Sequence, residues 1–125
     1  MKPTRTPKLA PYLLAKDAQS LVDFIERGIG GRVAFEARRK DGTLSHVEVI
    51  IADSVLMLAE PSRGRQGFPA MLHLYVEDAD EAYERALREG ARSVSPPVDE
   101  ADGDRRCAVV DNWGNEWWFT KAPKA

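Results

Sequence analysis

The chain has 125 residues, enough for one compact domain with a single core but not for separate cofactor and substrate domains. Its formal charge of -2, with acidic and basic side chains interspersed, offers no basic stripe to a phosphate backbone, so nucleic acid is excluded as an expected partner. No segment approaches a membrane span, no apolar run near the start reads as a secretory signal, and the single Cys107 cannot form an internal disulfide. A cytoplasmic protein with no membrane partner is therefore expected.

The apolar segment 9–15 reads as a first strand and leads into Asp17-Ala18. Between Asp17 and Gly28, Ala18, Leu21, Val22, Ile25 and Ile29 recur at helical spacing, which sets one apolar stripe against a sheet. A strand begins at Arg32. In 45–51, Val47, Val49 and Ile51 share the face expected under the helix, while His46, Glu48 and Ile50 share the other. After the turn Ala52-Asp53-Ser54, the segment 55–59 returns with Val55, Met57 and Ala59 on one side. The stretch 61–69, with Arg63, Gly64, Arg65 and Gly67, is a linker and a candidate lid.

The same order then repeats about 60 residues further on, the signature of a duplicated unit. Met71, His73 and Tyr75 alternate with Leu72, Leu74 and Val76. Asp78 is placed to cap a second helix, Glu81 stands where a capping box wants it, and Gly90 suits a left-handed stop. The stripe of that helix is Ala79, Ala82, Tyr83, Ala86 and Leu87. A strand begins at Arg92, and Pro96 and Pro97 mark an edge or a strand end because neither can donate to a ladder. The segments 105–110 and 116–120 complete the half, with Glu116, Trp118 and Thr120 opposite Trp117 and Phe119. The whole reads as one domain, 1–125, of two strand-helix-strand-strand-strand modules at about 9–60 and about 70–121.

The segments HVEVIIADSVLMLAE, LHLYVEDADEAYERALREGA and GDRRCAVVDNWGNEWWF resemble the vicinal oxygen chelate superfamily, which includes glyoxalase I, bleomycin-resistance proteins and extradiol dioxygenases. The resemblance implies an α+β fold: two βαβββ modules forming curved mixed sheets around a concave cavity, with helices on the convex side. Metal-dependent members place a ligand on the first and last strands of each module. Carried onto this sequence, those positions are Ala10, Met57, Met71 and Trp118, none a usual ligand for a catalytic divalent metal, so no metal and no cofactor is expected. A shifted site from His46, Glu48, His73 and Glu116 is the alternative, and it would make the protein a metal-dependent lyase, isomerase or dioxygenase. The final hairpin departs from the family's Asp-Pro-aromatic-Gly, reading Asp111, Asn112, Trp113, Gly114 here.

These side chains also have plainer roles. His46 and His73 suit half-buried hydrogen-bonding positions, with Glu48 as the partner of His46. Trp113, Trp117 and Trp118 suit core packing, and Cys107 reads as a small buried hydrophobe. Of the consecutive Arg105 and Arg106, at most one points inward. There is no Ser-His-Asp arrangement, no glycine-rich phosphate loop and no paired carboxylates at a recognisable spacing. The expected function is thus metal-independent binding of a small organic, antibiotic-like or aromatic molecule, as in bleomycin-resistance proteins, with no catalysis assigned. The expected ligand-binding residues are Tyr12, His46, Glu48, Met57, His73, Tyr75, Arg105, Glu116 and Trp118, with Leu14 beside them. A homodimer is expected, with its cavities at or beside the subunit interface.

Overall fold

The computed structural model describes residues 8–62 and 64–123; the basic, proline-bearing start of the chain and Arg63 of the linker lie outside them. The chain divides into two compact units between Phe68 and Pro69. In the first, β1 (Tyr12–Leu14), α1 (Ala18–Phe24), a π-helical turn (Ile25–Ile29), β2 (Arg32–Arg38), β3 (Leu44–Ile51) and β4 (Ser54–Ala59) follow in order. The second has β5 (Met71–Tyr75), α2 (Ala79–Arg88), β6 (Arg92–Asp99), β7 (Arg105–Val110) and β8 (Glu116–Lys121). Each unit is a βαβββ module with one four-stranded mixed sheet, ordered β1-β4-β3-β2 and β5-β8-β7-β6. In each, the first strand runs parallel to the last and the remaining pairs are antiparallel.

Strand parity sets the core. Val47 and Val49 of β3 stand opposite Leu58 and Leu56 of β4, and all four are buried on the helix side of the sheet together with Leu21 and Ile25. Each such side chain, fully withdrawn from water, stabilises the unit by about 1.5–3 kcal/mol. Gly31 sits at the closest approach of helix and sheet. A Cβ there would lie 2.7 Å from a Val49 methyl and 2.9 Å from an Ile25 methyl, so only glycine lets the chain pass. In the second unit, Cys107, Val109, Trp117 and Phe119 are buried on the corresponding side, against which α2 packs.

The two helices end and begin by different means. In α2, Asp78 Oδ1 accepts the Glu81 N–H at 3.0 Å, and Gly90 takes φ 106° just beyond the helix, as the sequence predicts. The first helix does not stop at Gly28. It widens into the π-helical turn, the N–H groups of Gly30 and Gly31 both donate to the Ile25 carbonyl at 2.9 and 3.1 Å, and Gly30 at φ 105° ends it. At its start, the Asp17 side chain caps no backbone N–H. The Glu60 carboxylate, 42 and 43 residues away in sequence, accepts from the N–H groups of Ala18 and Asp17 at 3.0 and 2.9 Å. Pro96 and Pro97 lie in β6, the edge strand of its sheet, where the register slips between Ser95 and Val98.

Candidate functional site

The face of each sheet away from its helix carries the chemistry. In the first unit Glu48 stands directly opposite Met57, Met57 opposite Tyr12, and Phe35 opposite Glu48 on the other flank. Period-two alternation puts His46 beside Glu48 on the same face, so Tyr12, His46, Glu48 and Met57 share one face of the sheet. They form a hydrogen-bonded chain. His46 Nε2 lies 2.8 Å from Glu48 Oε2, and His46 Nδ1 lies 3.0 Å from the Tyr12 hydroxyl. An ionised carboxylate only accepts, so the ring proton sits on Nε2 and donates to Glu48, while Nδ1 accepts the Tyr12 O–H. Burial, only partly offset by nearby Arg39, holds the Tyr12 phenol above its ordinary pKa, and the Glu48 charge adds to the effect. Glu48 is itself only 3% exposed.

Beside this chain the first unit holds an open groove of about 430 Å³, lined by Tyr12, Leu14 and Phe68, with Arg39, Glu60 and Arg65 as its charged members. The linker forms one wall. Gly67 packs so close to β1 that a Cβ on it would overlap the Leu14 carbonyl, which fixes this part of the expected lid against the strand. Arg39 is committed within the unit, donating to Thr43 Oγ1 at 3.2 Å and to the Glu60 carbonyl at 2.8 Å.

In the second unit His73 stands opposite Trp118, Met71 opposite Glu116 and Tyr75 opposite Thr120, all on the face away from α2. His73 Nε2 shares a 2.6 Å hydrogen bond with Thr120 Oγ1, and its ring meets Tyr75 edge-on at 4.9 Å. The Trp118 indole N–H donates to Glu116 Oε1 at 3.0 Å. Met71 and Tyr75 are 69% and 66% exposed.

Arg105 corrects the expected set. It has the parity of Cys107, whose thiol donates to the Ala79 carbonyl of α2, so it lies on the helix side. There its guanidinium grips the Asp80 carboxylate with two bonds, at 2.7 and 3.0 Å, and reaches Asp99 at 3.0 Å. The arginine with inward parity is Arg106, opposite Thr120, and it turns to Asp102 and Asp104. Two consecutive arginines leave parity open in the sequence; the Asp80 carboxylate at the start of α2 decides it. Residues absent from the expected set are Phe35, which a register shift in β2 between Val33 and Phe35 brings opposite Glu48, and Thr120, on the strand face of Trp118 and bonded to His73. The three tryptophans do not act alike: Trp117 is buried on the helix side and Trp118 stands on the opposite face.

The positions at which the resemblance places metal ligands do not fit a metal. Ala10, Met57, Met71 and Trp118 offer no imidazole or carboxylate, and among the described residues no group of three or more His, Cys, Asp or Glu side chains is gathered to hold an ion. Most donors of the alternative set, though not Glu48 Oε1, have partners in their own unit. Both ring nitrogens of His46, Nε2 of His73 and Oε1 of Glu116 already have partners.

Two successive βαβββ modules define a class, and comparison with known families agrees: residues 8–119 match the family model described as Glyoxalase/Bleomycin resistance protein/Dioxygenase superfamily, and the chain belongs to that superfamily. It is 31% identical over 122 residues to uncharacterized protein Mb0911c of Mycobacterium bovis, a match covering 89% of this chain and 80% of that one. It is equally similar to uncharacterized protein Rv0887c of Mycobacterium tuberculosis, over 72% of that protein. Among solved structures, TioX from a Micromonospora species shares the fold with a TM-score of 0.78 at 24% identity, over 93% of this chain and 98% of that one. A superfamily member from Sphaerobacter thermophilus shares it at 0.70 and 20% identity, over 94% and 98%. Among the described residues no helix is long and apolar enough to cross a membrane.

Proposed function

We propose that this chain is a metal-independent binding protein for a small organic molecule, of the bleomycin-resistance type. The observation that carries the reading is the Tyr12–His46–Glu48 chain of hydrogen bonds. It spends both nitrogens of the best metal ligand of the first unit on protein partners. It also leaves a face of phenol, phenyl and thioether groups around one carboxylate, beside an open groove. A few fixed polar groups among apolar and aromatic ones is the make-up of a small-molecule site rather than of a coordination sphere. In the second unit, Trp118, Tyr75 and Met71 supply a similar surface for a planar ligand.

The assembly proposed is a homodimer in the cytoplasm. The edge strand β5 presents the exposed Met71 and Tyr75, and covering such an edge with a second copy is the common solution. The one cysteine, buried and with its thiol pushed up to about 11 first by burial and then by the charge of Asp80, is suited to a reducing compartment.

The test is a thermal-shift screen of aromatic and antibiotic-like molecules on purified protein, together with metal analysis. Binders raise the midpoint by mass action, and a chelator leaves it unchanged. One equivalent of a divalent metal, with a midpoint that collapses on chelation, would replace this reading with the enzyme alternative. Sedimentation at micromolar concentration reads the dimer, and a one-chain species persisting as concentration rises would refute it.

A further inference from the structure

This inference rests on the small-molecule reading above and names the chemistry of the ligand. Glu48 uses only one of its two oxygens. Oε2 accepts from His46, while Oε1 is buried and has no hydrogen-bond partner among the described residues. A buried carboxylate oxygen without a donor is costly, and native structures keep such atoms where something else completes them. The neighbours on this face supply no donor: Met57 lies across on β4, Phe35 across on β2, and Ile50 two residues along β3. The Tyr12 hydroxyl and the His46 ring proton are already spent on each other's chain.

The surroundings of that oxygen select among ligands. Tyr12 and Phe35 lie near the His46 ring at centroid distances of 5.6 and 5.9 Å, both tilted, so two aromatic rings stand beside the carboxylate's partner. An anion here would be repelled by Glu48, and a purely apolar molecule would leave Oε1 orphaned. A cation bearing N–H groups does neither. It gives Oε1 a charge-assisted hydrogen bond and lies against aromatic rings and a thioether, a setting in which organic ammonium groups are attracted to the ring quadrupole. We propose that this face binds a small aromatic ammonium or amidinium compound, with an N–H of the cation donating to Glu48 Oε1. Arg39 and Arg65 line the neighbouring groove and would favour an acid there, so an anionic probe is the rival arm of the test.

The experiment titrates the full chain with three probes of one shape: 2-phenylethylammonium, 2-phenylethanol and phenylacetate. Binding is read on the NMR methyl signal of Met57, which faces Glu48 and is one of only three methionines. The ammonium probe is expected to bind at least tenfold more tightly than the alcohol, with phenylacetate weaker still at this signal. Glu48→Gln, with its thermal midpoint checked, is expected to erase the preference. Should that variant fail to fold, Phe35→Leu provides the second reading, weakening the ammonium probe more than the alcohol. Equal binding of ammonium and alcohol, as for an oxygen that merely holds a water, overturns the assignment. So does a preference for phenylacetate, or a preference that survives Glu48→Gln. If all three probes bind alike, the small-molecule reading stands and only the cation falls. If none moves the Met57 signal, the cation assignment falls and the library screen judges the broader reading separately.

Discussion

Replacing Asp111 with asparagine should cost this protein a large part of its stability, because the Asp111 carboxylate holds the turn that feeds β8. The side chain is 1% exposed. Its Oδ1 accepts the backbone N–H groups of Trp113 and Asn115, each at 2.9 Å, and its Oδ2 accepts the Asn115 amide at 3.0 Å and the Trp117 indole N–H at 2.9 Å. All four partners are donors, and only a carboxylate can accept from both ends at once. An asparagine oxygen can serve one pair, but its NH₂ group then faces the other two donors. Each buried donor left unpaired costs about 1–3 kcal/mol, so the pair should cost roughly 2–6 kcal/mol. Against a total stability of about 5–15 kcal/mol that is severe. Urea unfolding at unchanged slope measures it. Trp117→Phe removes one of the two competing donors, so the double variant should recover part of the loss, a coupling of about 0.5–3 kcal/mol between neighbours. A cost under about 1 kcal/mol for Asp111→Asn, or strict additivity with Trp117→Phe, would refute the reasoning.

Gly67→Ala should destabilise by roughly 1–3 kcal/mol in the same assay, because the added methyl meets the Leu14 carbonyl, a backbone atom that cannot yield. At Gly42, where φ is +90° and nothing lies within 4 Å, alanine should cost only about 1 kcal/mol, so equal costs at the two sites would undo the linker argument. The Arg105 hydrogen bonds hold the Asp80 carboxyl below its usual range. The stability it contributes is therefore present above the ordinary carboxylate pKa and lost as pH falls through the lowered value, and Asp80→Asn should flatten that part of the pH–stability curve. Zinc added in excess should leave the thermal midpoint where it is, since a metal at His46 would have to displace Tyr12 or Glu48; a rise of several degrees that chelation reverses would contradict this.

Much of the fold was legible because it is periodic. The repeat of about 60 residues defines two modules, and alternation in β3 separates Val47 and Val49 from His46 and Glu48 without any knowledge of partners. The Asp78 cap and the Gly90 stop are local, each needing only three or four neighbouring residues. What stayed hidden was decided over long separations. Glu60 caps α1 from more than forty residues away, a contact that no local pattern discloses. Arg105 is claimed by Asp80, 25 residues distant, against an inward placement that its own strand could not exclude. Asp111 reads as an ordinary turn residue, and only burial discloses that four N–H groups converge on it.

At the site, one exchange of chemistry accounts for most of what is observed. Where metal-dependent relatives of this fold are expected to place donors, this chain places a thioether at Met57 and an indole at Trp118, both suited to dispersion and stacking rather than coordination. Its carboxylate and imidazole stand on a neighbouring strand instead, one pleat apart, where Glu48 and His46 satisfy one another. That displacement has two consequences. His46 is held in one tautomer and one orientation by partners on both nitrogens, and it in turn positions Glu48 and Tyr12. Glu48, drawn toward His46 through Oε2, keeps a second oxygen buried with no hydrogen-bond donor among the described residues. A face built for coordination would have spent that oxygen on the metal. On the reading proposed above, a hydrogen-bond donor from a ligand takes that oxygen instead, one scaffold serving recognition where relatives use it for other chemistry.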